Sequence, residues 1–278
     1  MKKTSYFKIG SGSRKGFISK FQDQEFKETI QENNISKIRN QLFTKSSELM
    51  DELVDNCISL TITSPPYNIG KDSDEDLSDD EYWKMITKVF EEVYRVTESG
   101  GRLVVNVANL GRKPYIPFSK YFIEIILEIG FLMRGEIIWQ KSKGANANFA
   151  WGSWLSPSNP VIRDIHEYCL VFSKDSMKNS AKGEPTIEKD EFMESTLSIW
   201  NITPARAKKI GHPAPFPVEL PKRFINLYSF KNDLILDPFI GSGSTAIAAK
   251  LLDRDYIGYE LNPEYVKIAK NRLKNETS

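Results

Sequence analysis

The stretch DLILDPFIGSGSTAIAAKLLDRDYIGYE, residues 233–260, constrains the fold of this chain more than any other. DLILD is a short apolar run ending in a carboxylate, FIGSGS is a glycine turn, and TAIAAKLL reads as helix. DYIGYE is a second apolar run, again ending in an acid, Glu260. The four pieces make one strand–helix–strand unit, whose strands run parallel with the helix packed across them. Gly241 and Gly243 occupy the first turn, where missing side chains let the backbone approach a ligand and helix N-terminal amides offer donors. An acid ending the second strand, about 20 residues on, suits the hydroxyls of a ribose.

The rest of the chain alternates in the same way. CISLTIT (57–63) reads as a buried strand stopped by Pro65-Pro66. EYWKMITKVFEEVYRVT (81–97) places Trp83, Ile86, Val89, Phe90 and Val93 at helical spacing, with Gly100-Gly101 as its stop. GRLVVNVAN reads as a strand, FSKYFIEIILEIG as a helix with a glycine stop, and KSSELMDEL (45–53) as a short helix. GEIIWQK and HEYCLVFSK are two strands with no helix between them, which predicts an antiparallel hairpin at the sheet edge. FPVELPKRFINLY is a helix with Pro217 and Pro221 near its start. The expected architecture is α/β: a mixed, doubly wound, Rossmann-like sheet with an antiparallel edge hairpin.

At 278 residues and 40% hydrophobic content, the chain can fill one large α/β domain. Residues 1–35 are polar and read as an N-terminal arm, and residues 36–278 as the domain. Residues 174–211 are polar, lack clean periodicity, and read as an insertion rather than core. DSDEDLSDDE reads as a solvated acidic loop. With 38 Lys+Arg against 37 Asp+Glu, any basic surface must be local. Cys57 and Cys169 lie in apolar runs and read as buried thiols, with neither zinc spacing nor a disulfide framework. No apolar run reaches the roughly 18 residues of a membrane span. The first residues lack the apolar core of a signal peptide, so the expectation is a soluble cytoplasmic protein.

Gly241, Gly243 and Ala246 also fit the dinucleotide pattern G-x-G-x-x-A. Asp237-Pro238-Phe239 stands between strand and glycines, however, and no later half of the chain follows to hold a nicotinamide. A carboxylate at 237 can receive a cationic amine, and the Phe239 ring can pack on an adenine or a thioether. S-adenosylmethionine has those groups and no phosphate to repel Asp237.

TSPPY (63–67), followed far downstream by DPFIGSGST (237–245), resembles the DNA amino-methyltransferases, in the permuted β-type order where the catalytic tetrapeptide precedes the cofactor loop. HPAPFPVELPKRFI (212–225), SGGRLVVNV and HEYCLVFSK also resemble family elements, so the likeness runs from about Gln41 to Leu273. It implies a catalytic set of Ser64, Pro65, Pro66 and Tyr67. It implies a cofactor set of Asp237, Pro238, Phe239, Gly241, Ser242, Gly243, Ser244, Thr245, Glu260 and Leu261, walled by Phe216 and Pro217. The cofactor it implies is S-adenosylmethionine, and it calls for no metal.

The chemistry fits those residue types. An exocyclic amine on a base is a poor nucleophile because its lone pair is delocalised into the ring. Two acceptors, the Ser64 hydroxyl and the Pro65 carbonyl, can take its two N–H groups, and the prolines hold that carbonyl in a fixed direction. Tyr67 can stack on a base flipped out of the duplex. Methylation at cytosine carbon-5 would need a thiolate, normally after a proline, and neither cysteine follows one. Ser-Pro-Pro-Tyr favours cytosine N4 in the family, and adenine N6 is the alternative. The family often carries Gly-Asp-Ser before the catalytic strand, whereas Thr44-Lys45-Ser46 puts a lysine at the acid's place.

The resemblance makes double-stranded DNA the substrate, 174–211 the target-recognition region, and a separately acting restriction endonuclease and a second copy of the chain candidate partners. Lys141, Lys143, Arg163, Arg206, Lys208 and Lys209 are candidate phosphate contacts, and Asn146 a candidate for a base edge. Trp151 and Trp154 either contact DNA or pack the hairpin, and His166 with Glu167 reads as structural. An RNA or protein substrate on the same fold, and an inactive DNA-binding module, are the readings left beside it.

Overall fold

The structure is a computed structural model that describes residues 38–68, 77–111, 114–141, 152–205 and 216–277. Its strands are β1 (Gln41–Phe43), β2 (Ile58–Thr63), β3 (Thr97–Val107), β4 (Leu132–Gln140), β5 (His166–Ser173), β6 (Ile199–Asn201), β7 (Leu234–Asp237) and β8 (Asp255–Tyr259). Its helices are α1 (Asp79–Val96), α2 (Phe118–Ile129), α3 (Lys189–Ser195), α4 (Glu219–Tyr228), α5 (Ser244–Leu251) and α6 (Pro263–Glu276).

The strands form one sheet in the order β1-β8-β7-β2-β3-β5-β4-β6. The five from β1 to β3 are mutually parallel, and β5 runs antiparallel to both β3 and β4. The expected hairpin is therefore present at this end of the sheet, with three-residue β6 added outside β4.

Side-chain alternation along the strands feeds two cores. Leu103, Val105 and Val107 of β3 and Leu234 and Leu236 of β7 pack on one face beneath α1 and α2. Val104 and Ile235, one residue out of phase, pack on the other beneath α4 and α5. Helix α1 opens on a capping box, Ser78 with Glu81, and buries Tyr82, Ile86, Val89, Phe90 and Val93 along one stripe.

Three local expectations change. Residues 45–53 form turns, not a helix. Met50 and Leu53 are buried, and α1 supplies the partners that a helix would have supplied itself. Arg95 donates to the Met50 and Leu53 carbonyls, and Glu92 accepts from the Met50 N–H. Gly100-Gly101 does not end α1, which stops at Val96; the pair lies inside β3. Gly100 has φ +78°, and a Cβ there would lie 2.5 Å from the Lys178 carbonyl oxygen, so the glycine admits a crossing chain. Residues 174–205 are not all peripheral either. Trp200 in β6 is 1% exposed and its ring lies tilted against Phe224 at 4.5 Å between centroids, while the Trp139 indole donates to the Ile202 carbonyl. Residues 1–35 lie outside the described residues.

Candidate active site

In a parallel sheet, loops at the carboxyl ends of adjacent strands converge, and a ligand-binding crevice forms there. Here β2 ends at Thr63 and leads into Ser64-Pro65-Pro66-Tyr67. The neighbouring β7 ends at Asp237 and leads into Pro238, Phe239 and the glycine turn. β8, on its other side, ends next to Glu260. The catalytic and cofactor sets inferred from sequence are thereby brought to one end of the sheet.

Asp237 is 0% exposed, and donors surround its carboxylate. The Thr63 hydroxyl donates to Oδ1 at 2.8 Å, the Phe239 N–H to the same oxygen at 3.1 Å, and the Thr245 hydroxyl to Oδ2 at 2.7 Å. Burial pushes its pKa up to about 6 against the pull of those donors. Asp237, which the sequence offers to a ligand's ammonium, thus has three protein donors on its carboxylate. It ties the end of β2 to the start of α5 and fixes the loop between them. A strand side chain points into the sheet's faces, and 237 is the last strand residue, so burial follows from its position.

The glycine turn is held from three further sides. The Ser47 hydroxyl donates to the Pro238 carbonyl at 2.9 Å. The Ser244 hydroxyl donates to the Phe216 carbonyl at 2.9 Å, which fastens the Phe216-Pro217 segment to the loop. Arg272 of α6 donates to the Ser242 carbonyl at 2.9 Å from beneath. Gly243 has φ +86°, and a Cβ there would meet Ala269 of α6 at 2.8 Å. The turn can close only without a side chain at 243.

Glu260 is half-buried and points back toward the turn. Its Oε2 accepts from the Gly241 N–H at 3.1 Å and its Oε1 from the Asn262 N–H at 2.9 Å. Burial raises its pKa above the usual carboxylate range. Each oxygen has a second lone pair, which leaves capacity for a diol. Phe239 and Phe216 are both half-buried, and Leu261 is 62% exposed. A carboxylate, backbone amides and apolar rings, with Arg272 turned under the loop, suit a cofactor with ribose hydroxyls and cationic groups but no phosphate.

At the catalytic corner, the Tyr67 hydroxyl accepts from the Ala108 N–H at 2.8 Å and lies within hydrogen-bonding reach of Ser64. Its ring meets Phe118 edge-on at 5.9 Å between centroids. Burial first, then the nearby Glu167 carboxylate, pushes the Tyr67 pKa above its ordinary value. The Tyr82 hydroxyl of α1 donates to the Pro66 carbonyl at 2.6 Å. Ser64 and Pro66 are half-buried, whereas Pro65 is buried. The corner is thus rigid on three sides.

A scan against family descriptions matches residues 58–271 to the DNA methylase model of the N6/N4 type. The chain belongs to the N6/N4 DNA methylase family. A Type II methyltransferase, M.MthZI of Methanothermobacter thermautotrophicus, is 31% identical across 87% of this chain and 78% of its own length. A candidate DNA modification methylase of Thermus thermophilus, solved with S-adenosyl-L-methionine, is 28% identical with a TM-score of 0.69. That match covers 85% of this chain and 95% of the Thermus chain. The PvuII DNA methyltransferase, described as cytosine-N4-specific, shares the fold at a TM-score of 0.67 and 21% identity, over 86% and 91% of the two chains. The protein is a DNA methyltransferase, and its cofactor is S-adenosylmethionine.

The other sequence candidates fall elsewhere. Lys141 is paired with Glu167 and lies 5.1 Å over the Trp139 ring. Glu167 also accepts from Asn106 at 2.6 Å. Trp154 is 63% exposed, and Arg163 is half-buried on the same connection. Lys143, Asn146, Trp151, Arg206, Lys208 and Lys209 lie outside the described residues. Lys45, at the position expected for an acid, bonds Asp51 at 2.6 Å and Glu52 at 2.9 Å. Both partners raise its pKa, Asp51 most. The residues missed from sequence are Thr63, Tyr82, Ser47 and Arg272, which act on other residues' backbone or carboxylate atoms. Thr63 was visible as the residue before Ser64, but the other three carry no local pattern.

Proposed function

We propose that this methyltransferase modifies the exocyclic N4 of a cytosine flipped out of double-stranded DNA, at a specific sequence, as the protective half of a restriction–modification pair. The observation that supports it best is the Ser64 hydroxyl on a corner immobilised by Tyr67, Tyr82 and the Thr63–Asp237 clamp. Bound there, S-adenosylmethionine supplies an electrophilic methyl. Glu260 would take its ribose hydroxyls, Phe239, Phe216 and Pro217 its apolar parts, and Gly241 to Ser244 would line it with backbone.

The chain's own residues do the rest. Ser64 and the Pro65 carbonyl accept the two N–H groups of the target amine, which draws its lone pair out of conjugation and aims it. Tyr82 holds the Pro66 carbonyl and so the direction of the corner. The Tyr67 ring covers the flipped base, where stacking is worth roughly 1–3 kcal/mol. Positioning of this kind is the main catalytic device, and no covalent enzyme intermediate is required. Residues 174–211 serve as the target-recognition region. Lys141, Trp154 and Arg163, with Lys143, Asn146, Trp151, Arg206, Lys208 and Lys209, are the proposed DNA contacts.

Mass spectrometry of nucleosides from DNA of cells expressing the protein, beside an empty-vector control, tests the base. The expected product is N4-methylcytosine. N6-methyladenine instead would keep the site and overturn the reading of Ser64.

A further inference from the structure

At the opposite end of the sheet, a cavity of about 710 Å³ opens between β4, α3, α4 and residues 177–187. Its apolar lining includes Ile137, Val171, Phe192, Leu227, Tyr228 and Phe230. The volume falls within the roughly 300–1,000 Å³ range of small-molecule sites. Arg102 and Arg134 also line it, and both donate to the Met177 carbonyl at 2.9 Å, so the two cations stand side by side. Arg102 is 5% exposed, and Ser195, which lines the same cavity, is 1% exposed.

Two buried polar atoms there have no partner among the described residues: Arg102 Nε and Ser195 Oγ. Neither arginine forms an ion pair among them, although Glu136 stands exposed in the lining. The Arg102 terminal nitrogens also donate to the Gly100 carbonyl and the Ser173 hydroxyl, and Glu98 is the nearby negative charge, so the unmet cost is that of a buried Nε beside a second cation. Burial first, then Arg134, lowers the Arg102 pKa to about 10. An oxyanion would offset that cost, because it takes several N–H and O–H donors at once and suits the guanidinium fork. Tyr228 and the phenylalanines beside it suit a ring.

We infer that this cavity binds the phosphate group of a small phosphorylated molecule with a ring, through Arg102, Arg134 and Ser195. Arg102 lies six residues before Ala108 along β3, so the site is about 20 Å from the catalytic corner at strand rise. A ligand bound there does not compete with the target base. The inference does not depend on which base is methylated.

The test is thermal unfolding of the full chain with inorganic phosphate, against sodium chloride at matched ionic strength. Wild type and two variants, Arg134→Gln and Ser195→Ala, are compared. Phosphate tenfold above its Kd is expected to raise the wild-type Tm by about 3 °C. In Arg134→Gln that rise should shrink to the small general effect of an excluded salt, and in Ser195→Ala it should be partly lost. DNA affinity and methylation rate should be unchanged in Arg134→Gln, which lies outside residues 174–211. A wild-type rise no larger than that of Arg134→Gln overturns the site. Weakened DNA binding in Arg134→Gln, with a shallower salt dependence, would assign the phosphate to the duplex backbone and overturn the small-molecule reading.

Discussion

Two neighbouring parallel strands, β2 and β7, end in corners of the same kind: a polar residue, proline, then an aromatic ring. One reads Ser64-Pro65-Pro66-Tyr67 and the other Asp237-Pro238-Phe239. Yet Ser64 is half-buried at the crevice, while Asp237 is fully enclosed with donors on both oxygens. The difference is one residue of register. Asp237 is the last residue of its strand, and Ser64 is the first residue past its own. The residue aligned with Asp237 in role is Thr63, and the two bond each other. A polar group inside the strand therefore braces the corner, and one just beyond it is left half-buried at the crevice.

Breaking each corner should give different signatures. Ser64→Ala removes the acceptor proposed for the reacting amine and should lower kcat about 100-fold or more, with cofactor Kd and Tm little changed. Single-turnover methylation and cofactor titration separate those effects. Asp237→Ala leaves the donors of Thr63, Thr245 and Phe239 without an acceptor in a buried site and should cost about 3 kcal/mol of stability. Urea unfolding measures it. Lost cofactor affinity with unchanged stability would return Asp237 to the role of a direct ligand.

The ionisation of Asp237 sharpens the contrast. Its pKa is about 6 in the fold against an ordinary 3.8. Below pH 3.8 the carboxyl is protonated whether the chain is folded or not, and no penalty applies. As pH rises toward about 6 the unfolded chain ionises more readily, so folding loses stability, and the loss is complete above that. Asp237→Asn keeps an acceptor and cannot ionise. Wild type should therefore lose ground to this variant between pH 4 and pH 6.5, roughly that window. A stability difference that stays flat across it would show that the burial has no such effect.

Two smaller effects complete the series. Arg272→Met removes the support under the glycine turn and should weaken cofactor binding by roughly tenfold, about 1.4 kcal/mol. Its bonds go to Ser242 and Ser244 of the glycine turn, which predicts little change in kcat once cofactor is saturating. Tyr67→Phe keeps the ring and loses only the hydroxyl that holds the Ala108 N–H and reaches Ser64, so kcat should fall a few-fold, about 1 kcal/mol. Steady-state kinetics on one DNA substrate is sufficient for both.

Most of the fold was legible because burial writes a period into a sequence. The runs ISLTIT and LILD are unbroken because both faces of a parallel strand are covered, and α1 shows its stripe at helical spacing. The segment KSSELMDEL misled because its apolar residues, Met50 and Leu53, are spaced like a helix but are held by Arg95 and Glu92 of another element. Trp200 was illegible in its polar surroundings because β6 is only three residues long and owes its burial to β4 and α4.

What the sequence determined by itself was the order of the elements, the two chemical corners and the family that carries them. Strand runs, glycine turns and Pro-Pro stops are local, and each limits the backbone wherever it lies in the molecule. What tertiary structure decided was which polar groups are spent on the fold and which remain for ligands. Asp237 and Glu260 look alike in sequence, each an acid where a strand gives out. Only packing shows that Thr63, brought beside Asp237 from 174 residues away, and Thr245 close it, whereas Glu260 keeps lone pairs toward the crevice. A carboxylate's role depends on the donors that reach it, and donors from distant segments are placed by the assembled sheet.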